Sequence, residues 1–394
     1  MEKNKMKKRL IWGLFVALIF MQLTACGPAG TTEDPAATAS VESDETVPCV
    51  SELVPAGSME VVYAKGFSCD YYEGGYSILH VDDGRDYIIV PENAPVPMGA
   101  EDYIILKQPF EKVYLVATAA MSLFDAMDRL DAIRFSGSKQ ESWYVENAAR
   151  AMEVGEILYA GKYSAPDYEL LLQEGCDLAV ESTMIYHSPE VQEKLEELGI
   201  PVLIDRSSYE NHPLGRTEWL KVYALLLGCP EKADELFNAQ SQYIEELSGL
   251  APSGKTVAFF YVSTEGTVSV RNTDDYLPAM IELGGGQYFY QNPDEGSTSA
   301  SIDMTMEEFY VAAKDADYII YNASIDDPLE TVDDLFAKSE LFRNFRAVQE
   351  NHVWSTGKYL YQATDILGNF IWDIHLMLEG ETDPALYTFI HPLT

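Results

Sequence analysis

Basic residues are scarce in this 394-residue chain. It has 26 lysines and arginines against 64 aspartates and glutamates, a formal charge of −38 with its six histidines neutral. A surface of that sign repels polyphosphate, because neutralising a nucleic-acid backbone needs clustered Lys and Arg. Nucleic acid is therefore excluded as a partner, and so is broad electrostatic adhesion to anionic lipid. Cysteine is also sparse: five residues, none in a C-x-x-C pair, which leaves a zinc or redox site without support. The chain has no G-x-S-x-G elbow, no H-E-x-x-H and no G-x-G-x-x-G after a strand. Its one glycine triplet, Gly284-Gly285-Gly286, follows a helical pattern and reads as a helix stop. The chain is expected not to be an enzyme.

What is present begins at the amino terminus. Met1 to Arg9 carries four lysines and one arginine, and Leu10 to Leu23 is apolar except for Gln22. This is the plan of an export signal, too short to favour a stable membrane span. It ends in Leu23-Thr24-Ala25-Cys26, which resembles the lipobox of exported lipoproteins. That resemblance makes residues 1–25 a signal peptide and Cys26 a lipid anchor, with the rest working on the outer face of the cytoplasmic membrane. Loss of 1–25 removes five basic residues and one acidic one, leaving 21 against 63. Cys49, Cys69, Cys176 and Cys229 remain; outside the cell they are free to pair or not. Residues 26–57, rich in Gly, Pro, Ala, Thr, Ser and acids, cannot bury enough apolar surface to fold and read as a disordered tether.

The periodicity then changes twice. Residues 58–108 alternate with period two around turn signals at Tyr72-Glu73-Gly74-Gly75-Tyr76 and Val81-Asp82-Asp83-Gly84-Arg85, which predicts a small antiparallel β-meander. From 109 to 228, apolar strand runs (113–117, 133–136, 177–180, 201–204) alternate with helical spacing (122–130, 167–173, 189–198, 215–227), which predicts a parallel sheet covered on both faces. Meander and α/β part make a first lobe, 58–228. Gly228 stops one helix, and Pro230 sits where a first helical residue is tolerated. Segment 229–249 is therefore a helix about 28 Å long. A second α/β lobe, 250–394, follows, with strands at 256–262, 268–270, 318–321 and 352–355 and helices at 276–283, 305–314, 333–345 and 364–378. The predicted fold class is α/β: two Rossmann-like lobes with parallel sheets, joined by a single long helix, plus the meander.

This layout resembles the substrate-binding proteins of ABC importers in the Fe-siderophore, haem and cobalamin class, over about 112–374. Three stretches carry the likeness: Ser164-Ala165-Pro166-Asp167-Tyr168-Glu169-Leu170-Leu171-Leu172 with Asp177-Leu178-Ala179-Val180; Met304-Thr305-Met306-Glu307 with Ala316-Asp317-Tyr318-Ile319-Ile320; and Pro213-Leu214-Gly215-Arg216-Thr217-Glu218-Trp219. The chain departs from the class at Gly175-Cys176-Asp177, where the class has K-P-D, and in its longer lead-in before Lys112. The resemblance implies a monomeric receptor that closes modestly around its ligand and delivers it to an ABC permease. It also implies that one glutamate per lobe docks on permease arginines, here Glu169 and Glu307, with Glu308 as a rival. No resident cofactor is expected; iron or cobalt would enter only as part of the ligand.

In open α/β sheets a ligand lies beyond the carboxyl ends of the strands. That rule selects Trp143, Tyr144, Lys162, Tyr163, Tyr186, His187, Arg206, Tyr209 and Arg216 in the first lobe, and Arg271, Asn322, Tyr359 and Tyr361 in the second. Arginine suits bidentate contact with carboxylate or phosphate, and aromatic faces suit a flat or bulky ligand. The set points to an anionic, partly aromatic cargo: a ferric siderophore first, a corrinoid or haem as the alternative. His187, His212, His352 and His375 leave bare metal open, without tight ligand spacing. A lipid-anchored hydrolase is the alternative from a different class.

Overall fold

The computed structural model describes residues 47–293 and 299–394. Cys26, the signal peptide and most of the tether lie outside the described residues. The tether nevertheless ends earlier than its composition suggests. The amide of Val50 donates to Met98 O at 2.9 Å, and Pro55–Ser58 is a strand paired with Phe67–Tyr72. Val50 and Leu53 pack on Ile78 and Ile88. Backbone pairing and two apolar side chains fix a segment whose composition is polar.

Five strands, Pro55–Ser58, Phe67–Tyr72, Ser77–Val81, Arg85–Val90 and Ile104–Lys107, form the amino-terminal sheet in chain order. The first four run antiparallel, as the meander requires. The last pair, Arg85–Val90 with Ile104–Lys107, is parallel, because a long connection separates them where a hairpin turn would not fit. One face of this sheet, including Cys69, Leu79, Tyr87 and Leu106, shares a single core with Leu123, Val180, Leu203 and Tyr223 of the α/β part.

The first-lobe sheet has the order Val202–Asp205, Leu178–Ser182, Val113–Leu115, Ile133–Ser136, Leu158–Tyr159, and every pair is parallel. The helix expected at 122–130 stops at Ala126, after which Asp128 takes a left-handed φ of 59° that a short polar side chain tolerates. The helix expected at 215–227 is two, Pro213–Glu218 and Leu220–Leu227. They meet at Trp219, whose ring is held edge-on to Phe67 and whose Nε1 donates to Glu210.

The second-lobe sheet is mixed. Thr256–Val262, Tyr318–Tyr321 and Val353–Thr356 run parallel, but Val268–Arg271, Ser301–Met304 and Ile390–Pro392 are antiparallel to their neighbours. The five-residue link from Val262 to Val268 permits only a hairpin return. Residues 333–345 split into Val332–Lys338 and a 3-10 turn, Glu340–Asn344, because Ser339 is extended and caps the turn.

Between the lobes runs the helix Pro230–Leu247. It packs on Leu220–Leu227 on one side and Leu367–Glu379 on the other. At the second crossing Gly368 is pressed so close that a Cβ there would stand 2.7 Å from Gln240 O. That contact fixes how the second lobe sits on the connecting helix.

Two buried carboxylates join the lead-in segment to the α/β part of the first lobe. Glu218, fully buried, accepts the amides of Val62 (2.8 Å), Tyr63 (2.7 Å) and Ala64 (2.8 Å) and the Lys221 ammonium at 2.9 Å. Glu210 accepts Lys65 N at 2.9 Å and Gly66 N at 2.8 Å. Five consecutive amides thus find acceptors in a segment that belongs to no strand, which answers the hydrogen-bonding demand of buried backbone.

Candidate ligand-binding cleft

A cavity of about 580 Å³ opens between the lobes. Its first-lobe wall is the loop after Val202–Asp205 and the start of the helix Pro213–Glu218: Ser208, Tyr209, Asn211 and Arg216. Its second-lobe wall carries Arg271, Asp274, Asp275, Tyr276 and Tyr361. The first-lobe loop is held from below. Asp205 is buried and accepts Ser207 N at 2.9 Å, Ser207 Oγ at 2.5 Å and the Tyr223 hydroxyl.

Two guanidinium groups face each other across this space in different electrostatic settings. Arg271 is paired with Asp275 through Nε at 2.9 Å and Nη2 at 2.5 Å. Burial works against its charge, but the hydrogen-bonded carboxylate outweighs burial and raises its pKa. Asp275 also caps the helix Tyr276–Leu283 by accepting Leu277 N at 3.1 Å. Arg216 donates to two carbonyls, Glu210 O at 3.0 Å and Ser208 O at 2.7 Å, and lies over the Tyr276 ring, 3.5 Å from its centre. Among the described residues it has no carboxylate within ion-pair distance. Burial, then the nearby Arg271 charge, lowers its pKa. A cation held this way, desolvated and without a counter-charge in contact, favours an anionic occupant. Burial raises the pKa of Tyr276 and Tyr361, so both are neutral phenols.

Of the residues selected from sequence, Tyr209, Arg216, Arg271 and Tyr361 line this cavity. Asn322 stands behind them and donates to the Tyr361 hydroxyl at 2.9 Å. Arg271 arrives by a route the strand-end rule does not cover, since Val268–Arg271 is antiparallel. Tyr144 and Tyr359 sit at the seam between the lobes: Tyr144 N donates to Gln362 at 2.8 Å, and Tyr359 packs on the cores of both lobes.

The remaining residues lie elsewhere. Trp143 is buried in the first-lobe core, its Nε1 donating to Ser136 Oγ at 3.1 Å; the ring turned inward because a partner for its N–H lay there. Arg206 holds both oxygens of Asp82, contacts the Tyr186 hydroxyl at 3.1 Å and lies 4.7 Å above Tyr209. Tyr186 in turn donates to Asp83 at 3.0 Å. Arg206 and Tyr186 therefore tie the meander's turn at 82–83 to the α/β part of the first lobe. Lys162 and Tyr163 belong to the small hairpin of Gly161–Lys162 with Ala165–Pro166, and His187 is exposed at the end of a 3-10 turn. His212 stacks on Tyr63 and His352 on Tyr318. Among the described residues no three His, Cys, Asp or Glu side chains converge as a metal ligand set, and the four described cysteines are free thiols.

Glu169 is exposed in the first turn of Tyr168–Glu174, and Glu307 in the first turn of Met306–Ala313. Glu308 is engaged: its Oε2 accepts Thr305 N at 2.8 Å while Thr305 Oγ1 accepts Glu308 N at 3.2 Å, a closed capping box.

Sequence reasoning missed Tyr276, Asp274 and Asp275. Asp275 at a helix start is a legible cap, but Tyr276 reads as the first apolar residue of that helix, and no spacing reveals that its ring faces an arginine of the other lobe.

Two α/β lobes, one connecting helix and a polar, aromatic cleft between them define a two-lobed ligand-binding protein. Residues 137–360 match the periplasmic binding protein family, and the chain belongs to it. The family is one of solute-binding proteins. An uncharacterized lipoprotein of Methanocaldococcus jannaschii is 25% identical over an alignment spanning 95% of this chain and 98% of its own. Two solved structures share the fold. The petrobactin-binding protein YclQ from Bacillus subtilis has 12% identity and a TM-score of 0.56, over 70% of this chain and 94% of that one. The periplasmic haem-binding protein HutB of Vibrio cholerae has 16% identity and a TM-score of 0.55, over 68% and 99%.

Proposed function

We propose that this chain is the extracytoplasmic substrate-binding lipoprotein of an ABC importer and that it captures an anionic metal chelate of the siderophore type. The observation that carries this reading is Arg216: a desolvated guanidinium on the cleft wall, opposite the neutralised Arg271–Asp275 pair and stacked on Tyr276. A carboxylate, catecholate or hydroxamate oxygen supplies what Arg216 lacks, and Tyr276, Tyr361 and Tyr209 offer flat faces to a ligand ring. A volume near 580 Å³ falls within the usual range for small-molecule sites, about 300–1,000 Å³. Cys26 would anchor the chain by its lipid, which holds the receptor near its permease and raises its effective concentration there. Glu169 and Glu307, on different lobes and exposed, would be the docking carboxylates. Glu308 is less suited, since its oxygen is spent on Thr305.

Calorimetric titration of the protein with ferric catecholate, ferric hydroxamate, haem, cobalamin and free Zn²⁺ tests the reading. Binding of one chelate, weakened in R216A, is expected. Heat from Zn²⁺ alone, or chelate affinity unchanged in R216A, would overturn it.

A further inference from the structure

One five-residue stretch of the second lobe, Tyr361 to Asp365, carries hydrogen bonds between the lobes. Tyr361 lines the cleft. The next residue, Gln362, reaches the first lobe with both ends of its amide: Nε2 donates to Ser142 O at 2.8 Å and Oε1 accepts from Tyr144 N at 2.8 Å. Two residues on, Thr364 O accepts the Thr217 hydroxyl at 2.8 Å, in a buried contact. Asp365 packs beside the helix Met121–Ala126. These three hydrogen bonds cross from lobe to lobe.

Their placement in the chain is what gives them meaning. Gln362 follows the cleft residue Tyr361, and Thr217 follows the cleft residue Arg216. On each side of the seam, the residue that bonds across is covalently next to one that faces the ligand space. A shift of Tyr361 or Arg216 is passed on directly to a bond that sets the spacing of the lobes.

The geometry also requires glutamine. A donor and an acceptor, side by side, must meet a carbonyl and an amide two residues apart. Glutamate offers no donor to Ser142 O, and asparagine is one methylene short.

We propose that Gln362 is a positioning residue, a latch that sets the lobe spacing, and that Tyr361 couples this latch to the cleft. The latch stands on the geometry alone; its link to a ligand rests on the binding function proposed above.

Hydrogen exchange of the Tyr144 amide, measured on the full chain without ligand, reads the latch directly. Tyr144 is half-exposed and Gln362 is the partner of its amide, so loss of that partner leaves the amide open to solvent. Q362A is expected to speed Tyr144 exchange by about tenfold or more. Q362E, which keeps the acceptor, should fall between Q362A and the native chain. Y361F, which leaves the Gln362 amide intact but removes the hydroxyl held by Asn322, should also speed Tyr144 exchange. Native exchange at Tyr144 in Q362A would refute the latch. Fast exchange in Q362A with native exchange in Y361F would refute the coupling. A chelate panel that fails to bind leaves these outcomes unaltered, so failure of the binding reading and failure of the latch are separable. A thermal melt of each variant guards against global unfolding, and T217V, which breaks the second crossing bond, should add to Q362A if both share the seam.

Discussion

The guanidinium of Arg216 lies 3.5 Å from the centre of the Tyr276 ring and joins the two lobes across the cleft. The stack orients the arginine, its two carbonyl bonds hold it, and no carboxylate in contact offsets its charge among the described residues. On the proposed reading, removing it takes away a preset anion site. R216A should weaken chelate affinity by roughly tenfold to a hundredfold, the worth of one charge-assisted hydrogen bond. R216K should lose part of that, because an ammonium keeps the charge but not the planar stack. R206A should bind like the native chain, since Arg206 is held by Asp82 and Tyr186. Calorimetry on the three variants decides the matter; equal losses in R206A and R216A would move the anion site elsewhere.

Glu218 and Glu210 make a second, structural prediction. Breaking a buried charge pair costs about 3–5 kcal/mol because the partner is left without compensation, and Glu218 also serves three backbone amides. E218A should lower unfolding free energy by at least that much in urea melts. G66A should destabilise as well, because a Cβ at Gly66 would meet Glu210 Oε1 at 2.9 Å and the Trp219 ring at 3.2 Å. A native melt for G66A would mean that the clamp relaxes more freely than its contacts imply.

These carboxylates show where sequence reading stops. The α/β alternation was legible because buried parallel strands are apolar runs: residues 133–136, 256–262 and 318–321 coincide with strands to the residue. Arg216 and Tyr361 were legible because the chain puts them beyond strand ends. Gln362, Glu210 and Glu218 were not, because their partners are backbone atoms, which have no letter in a sequence. Trp143 misled for a related reason: a loop position says where a residue starts, not which way its ring turns, and Ser136 Oγ drew it inward. The tether ran too far because Val50 and Leu53 are only two apolar residues in a polar stretch, yet two sufficed once Ile78 and Ile88 were in place.

Glu181 gives a prediction about pH. It lies in the strand Leu178–Ser182, fully buried, and neither carboxylate oxygen has a hydrogen-bond partner. Burial pushes its pKa up from 4.5 to about 8. Its charge in turn contributes to the raised pKa of Tyr114 and Tyr168 on the same face. The folded state thus holds a proton that the unfolded state gives up near pH 4.5. The stabilisation from Glu181 is full below that pH, declines as pH rises, and is gone above about 8. E181Q mimics the neutral acid, so its melting temperature should vary less than the native chain's between about pH 5 and pH 9 and exceed it at the alkaline end. Parallel pH profiles would show that Glu181 ionises freely in the fold.

The two glutamates at helix starts separate docking from folding. Glu307 and Glu308 are neighbours in one helical turn, and both are exposed, yet only Glu308 closes the capping box with Thr305. Its hydrogen bonds to Thr305 hold the Glu308 carboxyl below its ordinary pKa, so ionised Glu308 is committed to the helix. Glu307 makes no ion pair among the described residues, and Glu169 is the docking glutamate proposed for the first lobe. A docking pair must leave ligand binding alone and act only when a permease is present. E169A and E307A should therefore keep native chelate affinity and melting temperature while lowering uptake in cells that carry the transporter, and the double variant should lower it further. E308A should do the reverse, with a lower melting temperature from the lost cap and uptake close to native once protein levels are matched. If E308A abolishes uptake at native stability and E307A does not, the docking carboxylate is Glu308, and the capping box must open when the permease engages.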